Sequence, residues 1–79
     1  FPLAFTLLNG EPLKLWQAVA AEGKGLPGEI LAADAQGVLV ACGEGALLVT
    51  ELQRAGGKRL AAAQFLAGCP MPVGQVLGV

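Results

Sequence analysis

Chemistry needs particular side chains, and this 79-residue chain has few of them: no histidine, no serine and no tyrosine. Its hydroxyls are Thr6 and Thr50, each in an apolar run that reads as a strand. Cys42 and Cys69 are the only thiols. A nucleophilic cysteine wants a neighbouring base or cation, and the run around Cys42, Val-Leu-Val-Ala-Cys, offers none. Without histidine or a Cys-x-x-Cys pair, no metal site is expected. The glycine segments match neither G-x-G-x-x-G nor G-x-x-x-x-G-K-[ST], so no phosphate loop is expected. The six carboxylates fall at expected turns, strand ends or exposed faces, where solvation explains them. By elimination no catalytic domain is expected here, and no cofactor-binding or metal site either.

What remains is charge, and it is unevenly spread. The net charge is −1. Residues 1–52 carry Lys14 and Lys24 against Glu11, Glu22, Glu29, Asp34, Glu44 and Glu51, whereas residues 53–79 carry Arg54, Lys58 and Arg59 and no acid. A local cationic cluster in an otherwise acidic chain points to an anionic partner. The competing reading is a solvated loop that keeps an apolar domain in solution.

The elements that must position these residues centre on residues 37–53. Two apolar runs, 38–42 and 46–52, flank Gly43-Glu44-Gly45, whose glycines allow the positive φ of a short hairpin loop. Val38, Val40 and Cys42 on one face and Leu39 and Ala41 on the other are all apolar, which predicts burial on both sides. Before this hairpin, residues 4–8 run into Asn9-Gly10, a strong two-residue hairpin signal, and 12–21 return. Alternation puts Leu13, Leu15, Gln17 and Val19 on one face of the return strand and Lys14, Trp16, Ala18 and Ala20 on the other. Residues 22–28 read as a loop and 29–33 as a strand. After the glycine-containing segment 54–59, Ala62, Phe65 and Leu66 switch to helical spacing, predicting a helix over 61–67. Gly68 is expected as its C′ residue, followed by Pro70. Val73, Val76 and Leu77 suggest a last edge strand.

The expected class is therefore all-β with one short helix, a small open Greek-key barrel of five or six strands near the OB type. Val38, Val40, Leu48 and Leu52 are expected in the core, with Phe65 and Leu66 packing the helix onto it. At this length there is room for one domain. The composition is 54% hydrophobic and 14% charged, with a mean hydropathy of +0.63. No apolar run approaches the ~18 residues of a membrane span, and no signal-peptide pattern opens the chain. The chain begins at Phe1 and its one methionine is Met71. These features predict a piece of a longer protein, with a continuous apolar patch where the missing part docks. Free thiols suit the cytoplasm.

The order of motifs resembles the C-terminal domain of methionyl-tRNA formyltransferases. The resemblance runs through Thr6-Leu7-Leu8-Asn9-Gly10 and Leu13-Lys14-Leu15-Trp16-Gln17-Ala18. It continues in Pro27-Gly28-Glu29-Ile30-Leu31, Gly37-Val38 and Ala41-Cys42-Gly43-Glu44-Gly45-Ala46-Leu47. It ends with Leu52-Gln53, Ala55-Gly56, Lys58 and Ala62 to Leu66. The resemblance implies that residues 1–79 are an OB-like accessory domain whose N-terminal catalytic partner domain is missing. That other domain would hold the catalytic residues and the site for 10-formyltetrahydrofolate, and the accessory domain would hold the backbone of initiator tRNA weakly. Lys14, Lys24, Arg54, Lys58 and Arg59 are the candidate phosphate contacts. Trp16 could stack on a base, or pack on the core or the missing domain.

Three departures accompany the resemblance. The family commonly carries two adjacent basic residues after Ala-Gly, and here Gly57 takes the first position and Lys58 the second. Arg54 stands where proline is usual, and Ala61 where a serine caps the helix. Two other readings stay open. Related C-terminal domains occur in formyltetrahydrofolate hydrolases and dehydrogenases, and a purely structural barrel would only pack on its catalytic partner.

Overall fold

The computed structural model describes residues 4–78. Six strands and one helix follow in the order β1 (Ala4–Leu8), β2 (Glu11–Lys24), β3 (Ile30–Asp34), β4 (Gly37–Ala41), β5 (Glu44–Arg54), β6 (Leu60–Ala61) and α1 (Ala62–Gly68). All pairings are antiparallel, in the spatial order β1-β2-β5-β4-β3, with β6 added to the end of β5. The β3-β4-β5 meander brings β5 back beside β2, which makes the connectivity a Greek key. The fold is thus all-β with one short helix, as an open Greek-key barrel predicts.

The β1–β2 hairpin turns on Asn9 and Gly10, at φ 53° and 83°. Positive φ at both central residues is the type I′ requirement that favours Asn-Gly. The central hairpin closes through the Cys42 N–H donating to the Gly45 carbonyl at 3.0 Å.

The sheet stays open between β1 and β3, and the C-terminal segment fills the gap. The Ile30 N–H donates to the Gln75 carbonyl, the Gly74 N–H to Ile30, the Leu77 N–H to Gly28 and the Gly78 N–H to Leu7, each at 2.8 Å. The expected last edge strand is replaced by this clasp, whose one ladder contact is a single bridge between Glu29 and Val76. Leu77 turns inward and is buried, while Val73 stays exposed.

The core is built from Leu8, Leu13, Leu15, Ala18, Ile30, Val38, Val40, Val49 and Leu52, closed by Phe65, Met71 and Leu77. Val38, Val40 and Leu52 are where the sequence puts them; Leu48 is not. It is half-buried opposite Leu39, and Val49, opposite Val38, takes the core position. The cause is a bend shared by β2 and β5. Leu15 faces Leu52 and Ala18 faces Val49, all four buried, with register irregularities between them. These buried positions are three residues apart on each strand instead of two, so strict alternation fails beyond this corner. Val19 is accordingly 55% exposed, not on the face of Leu13 and Leu15.

Element boundaries also move, and β3 starts one residue later than the expected 29–33. β2 runs on to Lys24 because its ladder with β5 extends to Glu44. Gly23 belongs to this strand: a Cβ there would lie 2.8 Å from Leu31 Cδ1, a close approach that favours glycine. Cys42 lies beyond the end of β4 with an exposed thiol, not a buried strand one. Gly68 is the last helical residue, and Cys69 forms the C-cap by donating its N–H to the Phe65 carbonyl at 2.9 Å.

The seven-residue helix packs by Ala62 and Phe65, with Leu66 half-buried beside them. Among the described residues no helix is long and apolar enough to cross a membrane. The N-cap is Ala61, in extended conformation (φ −63°, ψ 153°) and with no side-chain hydrogen bond to the first turn. Ala61→Ser supplies an acceptor for the free N–H groups there and should stabilise the domain by ~1 kcal/mol. A rise of about 4–8 °C in Tm is the expected result. An unchanged melting curve would show that solvent already satisfies this helix end.

Among the described residues the large exposed apolar ones are Phe5, Leu7, Val19, Leu26 and Val73. Phe5 and Leu7 share one face of edge strand β1, whereas the others come from β2, the β2–β3 loop and the C-terminal segment.

Candidate nucleic-acid interface

The candidate cations divide into two groups. Lys14 is directly opposite Gln53, and Arg54 is opposite Leu13, at the same end of the β2–β5 ladder. Lys58 and Arg59 follow from Arg54 through the loop that returns the chain as β6 onto Glu51 and Leu52. Lys24 lies at the other end of β2, opposite Glu44. The fold therefore gathers Lys14, Arg54, Lys58 and Arg59 at one end of a ladder and separates Lys24 from them.

The 54–59 loop is a built turn. The Gly57 N–H donates to the Arg54 carbonyl at 2.9 Å, and Gly56 has φ 74°, the positive value that a type II turn needs at its third residue. Gln53 holds the far side of the turn, its Nε2 donating to the Gly57 carbonyl at 2.9 Å. The same amide accepts from Trp16 Nε1–H through its Oε1, at 2.7 Å. Trp16, half-buried on β2, thus ties the strand pair to the loop.

Arg59 completes the cluster. Its guanidinium carbon sits 4.7 Å from the centroid of a Trp16 ring, a cation–π distance. Its Nε–H donates to Glu51 Oε1 at 2.6 Å. The pair is partly solvated, with side-chain exposures of 45% for Arg59 and 28% for Glu51. Such a pair adds at most about 1 kcal/mol to stability. The guanidinium is thus contacted on its face by Trp16 and on its Nε edge by Glu51. Lys14 makes a longer contact of the same type, its Nζ 5.9 Å from the Phe5 ring centroid. Lys58 and Arg54 are exposed.

The segment 53–79 is free of acids in sequence but not in space, because β5 delivers Glu51 to Arg59. Sequence reading left Glu51 and Gln53 out of the site. The missed signal was the hairpin itself: a two-glycine turn between two strand-forming stretches folds residues 59–61 back on residues 51–52. Trp16, left between stacking and packing, spends one face on Arg59. The arrangement lacks paired acid–base groups and suits attraction of an anion at a surface.

The family model described as formyl transferase, C-terminal domain, matches residues 1–70. The methionyl-tRNA formyltransferase of Dechloromonas aromatica is 58% identical over 74 residues, covering 94% of this chain and 24% of that protein. That of Chromobacterium violaceum is 58% identical over 78 residues, covering 99% of this chain and 25% of that protein. The protein of the same name from Burkholderia thailandensis is 57% identical over 77 residues. The chain thus spans about a quarter of the length of the curated relatives it matches. With a family match over most of its length and this identity to full-length relatives, the chain belongs to the formyl transferase C-terminal domain family.

Proposed function

We propose that the chain is the C-terminal domain of a methionyl-tRNA formyltransferase. In this reading it holds initiator tRNA by phosphate contacts while an N-terminal catalytic domain transfers the formyl group from 10-formyltetrahydrofolate, in the cytoplasm. The observation that carries the reading is the 58% identity, over nearly the whole chain, to proteins of that name. The gathered cations support the tRNA role. Lys14, Arg54, Lys58 and Arg59 lie together beside a loop whose backbone is exposed, which suits a phosphate backbone more than a base edge. Lys24, at the opposite end of β2, would make a separate contact. Few charges imply weak binding by the domain alone, with a shallow salt dependence.

Deleting this domain from the full-length protein tests the reading. The truncated protein should lose tRNA affinity while its affinity for 10-formyltetrahydrofolate is kept, and the isolated 79 residues should turn over no 10-formyltetrahydrofolate. Unchanged tRNA affinity would leave a barrel that only packs on its catalytic partner. Turnover by the isolated chain would refute the assignment of chemistry to the other domain.

A further inference from the structure

We propose that Glu51 sets the strength of the phosphate contact by acting on Arg59, as a built-in counter-charge; this rests on the reading of the domain as a holder of tRNA. Arginine has five N–H donors. Glu51 takes the one on Nε, at 2.6 Å, and among the described residues Arg59 makes no other side-chain hydrogen bond. The two terminal nitrogens therefore remain available as a fork for a phosphate oxygen pair. The guanidinium is also held from its face by Trp16, itself fixed by Gln53. Arg59 is thus aimed before any ligand arrives, which lowers the ordering cost of binding.

The same geometry keeps a carboxylate on the Nε edge of the guanidinium, within screening range of any phosphate that this fork receives. Attraction by the guanidinium and repulsion by Glu51 then partly cancel. A carboxylate on Nε–H and a phosphate on the fork of terminal nitrogens lie about 6–8 Å apart, where repulsion between unit charges in water corresponds to about a two- to threefold change in affinity. Glu51 therefore makes Arg59 a positioned but weakened contact. Its companion Lys58 has no such acid opposed to it in the hydrogen bonds and ion pairs of the described residues. Glu51 is the determinant of how much the loop contributes, while Trp16 and Gln53 determine where Arg59 points.

Glu51→Gln isolates the charge, because the glutamine oxygen can still accept from Arg59 Nε–H and the Trp16 face is untouched. In the full-length protein, with an initiator tRNA transcript as the probe, it should tighten binding about two- to threefold at low salt. It should also steepen the log–log salt slope by up to ~0.9. In an Arg59→Ala background the same substitution should have a much smaller effect. Equal tightening in both backgrounds would overturn the proposal, since Glu51 would then act as a general surface charge. Weakened binding by Glu51→Gln would overturn it in the other direction, by making the carboxylate a positioning group. If Glu51→Gln changes nothing while deletion of the domain abolishes tRNA affinity, the counter-charge role fails and the tRNA-holding reading stands. If deletion too changes nothing, both fall. Thermal melting of each variant confirms that folding is retained.

Discussion

Replacing Lys58 and Arg59 together by alanine in the full-length protein should weaken tRNA binding on the order of tenfold at low salt and flatten its salt dependence by one to two units of log–log slope. Lys58 is exposed and contributes close to one unit. Arg59 contributes less, because Glu51 already neutralises part of its charge. Phosphate contacts carry no sequence information, so the loss should be similar for different tRNAs. The KM for tRNA should rise while the KM for 10-formyltetrahydrofolate stays constant. Gly57→Lys should act in the opposite direction. The backbone at Gly57 has no positive φ, and a Cβ there would meet the Arg54 carbonyl oxygen at 3.4 Å, an ordinary contact. A lysine therefore fits and adds a cation next to Lys58. Affinity and salt slope unchanged by the double alanine variant would mean that the loop is a solvated surface with no part in binding.

The largest stability effect is expected at Gly28. Its φ is +89°, and a Cβ there would collide with the backbone carbonyl oxygen of Leu77. Two costs then add. An L side chain in this conformation costs about 1–2 kcal/mol. Relieving the collision also strains the clasp, in which the Leu77 N–H donates to the Gly28 carbonyl at 2.8 Å and the Leu77 side chain is buried. Gly28→Ala should therefore destabilise the domain by about 3 kcal/mol and lower Tm by roughly 12–24 °C. Gly56→Ala is the control, because its φ of +74° carries the strain but nothing lies within 4 Å of its Cβ position. A loss at Gly28 no greater than at Gly56 would show that the C-terminal segment yields without cost. The clasp would then be no part of what holds the open sheet together.

Much of the fold was legible because local chemistry and global pairing agree. Asn9-Gly10 dictates its hairpin through positive φ at two successive residues, and the structure has both. The run Val38-Leu39-Val40-Ala41 is apolar on both faces, and β4 is the strand whose ends are buried on both. The change from alternation to helical spacing after residue 60 locates α1 to within one residue. Family membership followed from the order of such motifs, each weak by itself.

Other features depend on residues far apart in sequence meeting, and no local pattern encodes them. The bend at Leu15/Leu52 and Ala18/Val49 arises because two strands coil together, so it exchanged Leu48 for Val49 in the core and exposed Val19. The C-terminal segment reads as a strand, yet it spends its hydrogen bonds on Gly28, Ile30 and Leu7 from both sheet edges. The cationic cluster shows the difference most plainly. Sequence alone determined that Arg54, Lys58 and Arg59 form an acid-free, glycine-containing stretch, because charge and glycine content are local properties. Only the tertiary structure decided that Lys14 joins them and Lys24 does not, that Trp16 holds Arg59, and that Glu51 opposes it. Electrostatic interaction depends on distance in space, and the β5–β6 return shortens that distance to 2.6 Å between Arg59 Nε and Glu51 Oε1.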